Sequence, residues 1–234
     1  MLSRVLNMFR VADLRNKIIF TLAIIGLYRL GSFVPAPGVD VEAVQGLRDP
    51  ANQGGILAYM QLFSGGALTQ FAVFALGIMP YITSSIIMQI LGVVIPKIEQ
   101  WQQQGAVGQR KITQWTRYLT VSIAVVQSTS FAFLFNQGGL IGEDISLMPE
   151  FNAWTVFVVV LTLTSGTALL MWMGELITQR GVGNGMSLLI FTSVVSTLPA
   201  QGALVQAENG TTALVALIFV AVALLVAIVF VEQG

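Results

Sequence analysis

The chain has 234 residues, of which 55% are hydrophobic and only 9% are charged, and its formal net charge is zero. A soluble domain usually carries about 25% charged residues, so most of this surface must face something other than water. Cysteine and histidine are both absent, which excludes disulfides, thiolate metal sites, cysteine nucleophiles and imidazole bases. The composition therefore indicates an integral membrane protein, and we expect it to have no metal or cofactor.

The amino-terminal stretch, residues 1–17, combines apolar positions at helical spacing with four cations, Arg4, Arg10, Arg15 and Lys17. It lacks the short apolar core and the small-residue cleavage site of a signal peptide. We expect it to form a cytoplasmic amphipathic helix that lies at the membrane surface. An ordinary positively charged flank is the alternative, and both interpretations give the chain the same orientation.

Six membrane spans are predicted from the apolar stretches that follow. They are Ile18–Phe33, Ile78–Ile95, Tyr118–Phe135, Trp154–Met173, Met186–Leu198 and Thr212–Val231. The basic residues fall almost entirely on one side of this arrangement. That side holds Arg4, Arg10, Arg15, Lys17, Lys97, Arg110, Lys111, Arg117 and Arg180, against Arg48 alone on the other. Because cytoplasmic loops carry the excess of Lys and Arg, the amino terminus is predicted to be cytoplasmic.

The stretch Phe63–Ile95 is interrupted in a way that no other predicted span is. A short apolar piece, Leu68–Leu76, is separated from the second span by Gly77 and Pro80. Since about 20 apolar residues are needed to cross a bilayer, the short piece should be re-entrant or packed inside the protein. Irregular backbone at membrane depth is tolerated only where protein covers it or where it lines a cavity. This stretch is therefore a candidate pathway or gate; the alternative is a loop and surface helix before an ordinary span.

One face of the second span carries Ile78, Ile82, Ser85 and Gln89 at helical spacing. Two isoleucines followed by two polar residues suit a constricted aqueous path, and they suit a plain helix interface equally well. No Asp, Glu or Lys lies inside a predicted span, which disfavours a proton relay or an ion-coupled pump.

The run GELITQRGVGNG is predicted to turn between the fourth and fifth spans. Its glycines allow tight turning, and Asn184 is expected to cap the helix that follows. Arg180 and Glu175 are expected to pair, with little effect on stability. The lysine and threonine of a phosphate-binding loop are missing after GVGNG, which argues against a nucleotide site.

Five long runs of this sequence resemble the SecY family, the central subunit of the bacterial protein-conducting channel. They are YRLGSFVPAPGVD, LFSGGALTQFAVFALGIMPYITSSIIMQIL, GQRKITQWTRY, MWMGELITQRGVGNGMSLLIF and FVEQG. The resemblance implies an all-α polytopic membrane protein, a SecY-type helical bundle with a re-entrant plug helix at about 60–74. Residues 18–200 would form the first half of an inverted repeat, 201–211 a hinge loop, and 212–234 a sixth span with the start of the next cytoplasmic loop. We expect the chain to be the amino-terminal portion of a longer protein.

The resemblance also implies roles for individual residues of this chain. The plug would include Phe63, Ser64, Gly65, Gly66, Ala67 and Leu68. A hydrophobic pore ring would include Ile78, Ile82 and Ile190. Ser85 and Gln89 would belong to the lateral gate, and Arg110, Lys111 and Arg180 would contact cytoplasmic partners.

By the same resemblance, the function is a non-enzymatic channel subunit of the plasma membrane, which passes unfolded preproteins and releases membrane segments sideways. The implied partners are the SecE and SecG subunits, the motor ATPase SecA, the ribosome, preprotein substrates and the lipid bilayer. The alternative is a secondary transporter of a small solute, since broken helices near mid-membrane are typical of those proteins too.

Overall fold

The computed structural model describes residues 11–40, 64–136 and 151–233, and within them the chain is helical without a β-strand. Six α-helices are present in this part. They are α1 (Ala12–Gly31), α2 (Met79–Val94), α3 (Pro96–Gln103), α4 (Ala106–Asn136), α5 (Ala153–Arg180) and α6 (Gly185–Gln233). The all-α fold class is confirmed. Of the predicted amphipathic amino terminus, residues 1–10 lie outside the described part, and α1 begins at Ala12.

The chain divides into two compact units, Met1–Ser193 and Val194–Gly234. In the first unit, α4 packs against α2, α3 and α5, and α1 packs against α5. The second unit contains the remainder of α6, whose apolar side chains from Val215 to Val231 are exposed.

Two helices of the described part, α5 and the apolar stretch Gly185–Glu232 of α6, are long and apolar enough to cross a membrane. The pair α2 and α3 passes the same test if it is counted as one span, although its two helices meet at a bend of 101°. The bend follows Ile95, which is extended, and Pro96 then begins α3. The protein is therefore membrane-embedded, and the count of six spans stays a prediction.

The hydrophobic core of the first unit consists of two clusters. The Phe71 cluster comprises Ala36, Leu68, Phe71, Ala75, Leu76, Ala132, Val159 and Leu163. The Ile78 cluster comprises Ile24, Tyr28, Ala67, Ala72, Phe74, Ile78, Leu170, Met171, Met173, Ile177, Met186 and Leu189. The stretch 64–77, called the central segment below, contributes side chains to both clusters. It is buried between the helices, as the interrupted sequence predicts.

Of the predicted plug helix at about 60–74, residues 60–63 lie outside the described part and Ser64 is helical. The rest of the central segment, residues 65–77, is a series of turns. Its longest regular piece is a three-residue 3-10 helix, Leu68–Gln70. Gly65, Gly66, Phe71 and Gly77 all have positive φ, and residues in that conformation cannot continue an α-helix. The segment instead makes backbone hydrogen bonds to the chain that follows α1. The Ala36 amide donates to the Phe71 carbonyl, and the Val73 amide donates to the Val34 carbonyl, both at 2.9 Å.

The predicted hinge loop, residues 201–211, is helical in the structure. The break in α6 is confined to Gly210, whose φ of 78° and ψ of 173° are not helical. The stretch before it, GALVQAEN, is rich in residues that form helices well, and this local preference explains why no loop forms there. A hinge role for this region remains a prediction.

The turn between α5 and α6 agrees with the sequence in detail. Asn184 Oδ1 accepts hydrogen bonds from the amides of Met186 and Ser187, at 3.0 and 3.3 Å, so the predicted helix cap is confirmed. Gly183 has a φ of 71°, as a tight turn requires. The Thr21 hydroxyl accepts a hydrogen bond from the Val182 amide at 3.1 Å and so attaches this turn to α1.

Replacing Asn184 with alanine should cost about 1 kcal/mol of stability, the usual effect of losing a helix cap. The loss should be local, because the cap satisfies amides in the first turn of α6 only. Faster hydrogen exchange at Met186 and Ser187 would report it. Asn184→Ser, which keeps a capping oxygen, is the matched control and should leave both amides protected.

Candidate functional site

The three isoleucines that were predicted to form a ring lie in one part of the structure. Ile78 precedes α2 and is only 3% exposed, within the Ile78 cluster. Ile82, one turn further along α2, and Ile190 of α6 are half-buried and pack against the same cluster. The structure therefore brings together residues from two helices that are more than 100 positions apart in the sequence.

The predicted plug residues meet α1 and α6 at the first turn of the central segment. Ser64 is 1% exposed, and its hydroxyl accepts a hydrogen bond from the Leu68 amide at 3.2 Å. Gly65 is buried, and Ala67 and Leu68 enter the Ile78 and Phe71 clusters respectively. Phe63 lies outside the described residues. Ala67 of the predicted plug thus lies in the same apolar cluster as Ile78 of the predicted ring.

The two predicted gate residues lie elsewhere, beside α3 and α4. The Gln89 amide nitrogen and the Ser85 hydroxyl are 3.5 Å apart, and both residues line a cavity of about 240 Å³. Its other lining residues are Tyr81, Met88, Gln102, Gln109, Ile112, Thr113 and Thr116. The polar half of the α2 face therefore borders a cavity rich in amides and hydroxyls, while its apolar half packs in the core.

The predicted partner contacts, Arg110, Lys111 and Arg180, are all exposed. The Lys111 ammonium lies 5.9 Å from the centre of the Trp101 ring, a distance at which a cation–π attraction operates. Arg110 and Lys111 sit in the first part of α4, and Arg180 ends α5. These cations are available to an acidic surface outside the protein.

The expected pair between Arg180 and Glu175 is wrong. Glu175 instead binds Arg117 of α4 through both carboxylate oxygens: Arg117 Nε donates to Oε1 at 2.7 Å, and its Nη2 contacts Oε2. Positions five apart on a helix do not face each other, whereas α4 and α5 pack side by side. The two-point geometry makes this a strong kind of ion pair, and it crosslinks α4 to α5.

Sequence reasoning missed three residues that contact the central segment or its surroundings. Tyr28 and Arg29 of α1 hydrogen-bond to its backbone, and Ser193 of α6 bonds to the Tyr28 hydroxyl. The signal was a tyrosine and an arginine side by side within a predicted apolar span. Within the described ranges, no group of His, Cys, Asp or Glu could hold a metal ion.

The SecY family model matches residues 72–234 of this chain. Among curated proteins, the chain is 47% identical to "Protein translocase subunit SecY" of Mycobacterium tuberculosis, over all of this chain and 54% of that protein. The chain thus spans about half the length of the curated relatives it matches.

Two solved structures share the fold, at a TM-score of 0.54 and 18% identity. They are titled "The structure of a protein conducting channel" and "Sec61 in the Canine ribosome-channel complex from the endoplasmic reticulum". Each match covers 85% of this chain and 39% of the other chain.

Proposed function

This chain belongs to the SecY family, and on that premise we propose that it is a subunit of a protein-conducting channel. The channel passes unfolded preproteins across the plasma membrane and releases membrane segments sideways into lipid. The chain acts as a conduit and not as an enzyme. Family membership favours this function over a solute transporter.

The observation that carries the proposal is the contact between the central segment and the three isoleucines. Ile78, Ile82 and Ile190 share one apolar cluster, and Ala67, Ala72 and Phe74 of the central segment belong to it as well. An apolar constriction excludes water and ions, while a passing chain can spread it. We propose that these isoleucines are this chain's part of the pore ring, and that residues 64–74 of the central segment belong to the plug.

The remaining assignments follow from the same premise. We propose that Ser85 and Gln89 belong to the lateral gate, where their polar cavity faces a segment on its way to lipid. The proposed partners are SecE, SecG, the motor ATPase SecA and the ribosome, with Arg110, Lys111 and Arg180 among the contacts. The distribution of basic residues supports six spans with a cytoplasmic amino terminus. We further propose that the chain forms the first half of an inverted repeat, with the rest of the channel completing the ring.

Replacing both Ile78 and Ile82 with glycine should increase ion leak through the assembled channel. The substitutions widen the constriction and remove side chains that keep it dry. Conductance of the channel in planar bilayers measures the effect. The matched control is Ile86→Gly with Ile90→Gly on the same helix, because these two side chains are exposed. Equal conductance of the two double variants would refute the ring assignment.

A further inference from the structure

Three parts of the chain converge on Gly65. Arg29 of α1 donates from Nη1 to the Gly65 carbonyl at 2.8 Å. The Tyr28 hydroxyl donates toward the Ser64 carbonyl at 3.3 Å and lies 2.6 Å from the hydroxyl of Ser193 on α6. A β-carbon added to Gly65 would lie 3.1 to 3.2 Å from atoms of Tyr28, Arg29 and Ser193. Glycine at this position therefore lets α1, α6 and the central segment approach one another.

Burial and the charge of Arg29 should make these hydrogen bonds strong. Tyr28 and Ser193 are fully buried, and Ser64 is 1% exposed. Hydrogen bonds from an ionised donor are roughly twice as strong as neutral ones, and a low local dielectric strengthens them further. The Arg29 guanidinium also lies 5.2 Å from the centre of the Phe33 ring, a distance at which a cation–π attraction operates.

The first turn and the middle of the central segment are held by different means. In the middle, backbone bonds join Phe71 and Val73 to Ala36 and Val34. At the first turn, side chains of α1 supply donors to the carbonyls of Ser64 and Gly65. The side-chain hydrogen bonds at the first turn can therefore break while the backbone hydrogen bonds of residues 71–73 stay formed.

We propose that Tyr28 and Arg29 form a latch that holds the first turn of the central segment, and that the segment is released by opening there while residues 71–73 stay bound. Arg29 supplies the charged bond and Tyr28 the buried one that links the turn to Ser193. The two residues are positioning residues that set the threshold for release. The inference rests on the proposed function only in treating release of the segment as channel opening.

Hydrogen exchange in the assembled channel, in lipid nanodiscs, tests the latch directly. Arg29→Met keeps the aliphatic stem and removes the donor, and it should speed exchange of the Ala67 and Leu68 amides about ten-fold, equivalent to about 1.4 kcal/mol. Tyr28→Phe and Gly65→Ala should act in the same direction. Arg29→Lys, which keeps a cationic donor, should restore part of the protection. Arg15→Met, at an exposed arginine of the same helix, should change nothing.

The pattern of exchange separates a latch from general stabilisation. The Ala36 and Val73 amides should keep their protection in Arg29→Met. Unchanged exchange at 67–68 would overturn the proposal, and so would a uniform rise that includes Ala36 and Val73. If exchange rises only at the first turn, while neither Arg29→Met nor the double variant Ile78→Gly, Ile82→Gly leaks ions, the latch stands and the proposed channel function fails.

Discussion

Replacing Gly166 with alanine should produce the largest single effect on the packing of the central segment. A β-carbon at Gly166 of α5 would lie 2.0 Å from the Val73 carbonyl oxygen and 2.8 Å from its carbon. Both neighbours are backbone atoms, and Val73 is already bonded to Val34, so neither can move aside by changing a side-chain rotamer. We expect a loss of about 1–3 kcal/mol or more, as for other overpacked interiors.

The Gly166→Ala experiment has a close control in Gly26→Ala. Gly26 lies inside α1 with nothing within 4 Å of the added carbon, so alanine there should be neutral or gain up to about 1 kcal/mol from helix propensity. Thermal unfolding in detergent compares the two variants. Hydrogen exchange at Val73 should rise in Gly166→Ala alone. Similar melting temperatures for both variants would show that α5 and the central segment are less closely packed than described.

Replacing Glu175 with glutamine should destabilise the contact between α4 and α5. The Glu175 side chain is only 16% exposed. Glutamine carries no negative charge, so the substitution leaves the Arg117 guanidinium without its anionic partner. Truncating one member of a buried pair costs about 3–5 kcal/mol, but Arg117 is 43% exposed and water partly replaces the carboxylate. We therefore expect a loss of about 1–3 kcal/mol.

A second ion pair of this chain supplies the control for Glu175→Gln. Asp13 and Lys17 lie one turn apart on α1 at 3.2 Å, and both side chains are largely exposed. Asp13→Asn should change stability by less than about 0.5 kcal/mol. The combination of Glu175→Gln with Arg117→Met should cost less than the sum of the single changes, because no charge is then left unpaired. Full additivity would mean that the two side chains do not interact.

Local sequence rules predicted the features that depend on a few neighbouring residues. Gly77 and Pro80 marked the start of α2, and Asn184 marked the start of α6 through its capping oxygen. The pattern of two isoleucines followed by two polar residues predicted that one face of α2 changes character along its length. Each of these depends on backbone geometry or helical spacing, which the sequence expresses directly.

Features that depend on distant residues were missed or wrong. Glu175 pairs with a residue 58 positions away, and Tyr28 with one 165 positions away, and no local pattern indicates either partner. The plug helix was implied by the resemblance and not by a local pattern of residues. Backbone bonds join the central segment to residues 34–36, and α5 approaches it closely at Val73; the local sequence indicates neither partner.

The central segment contributes to both hydrophobic clusters, and this links the thermal stability of the first unit to the free energy needed to displace the segment. Ala67 and Leu68 are at most 2% exposed, and the proposed release of the first turn takes them out of the Ile78 and Phe71 clusters. The work needed to displace the segment is therefore part of the work needed to unfold the first unit. On the proposed function, a substitution that strengthens these contacts raises the melting temperature and also makes the channel harder to open, whereas a variant that opens readily melts at a lower temperature.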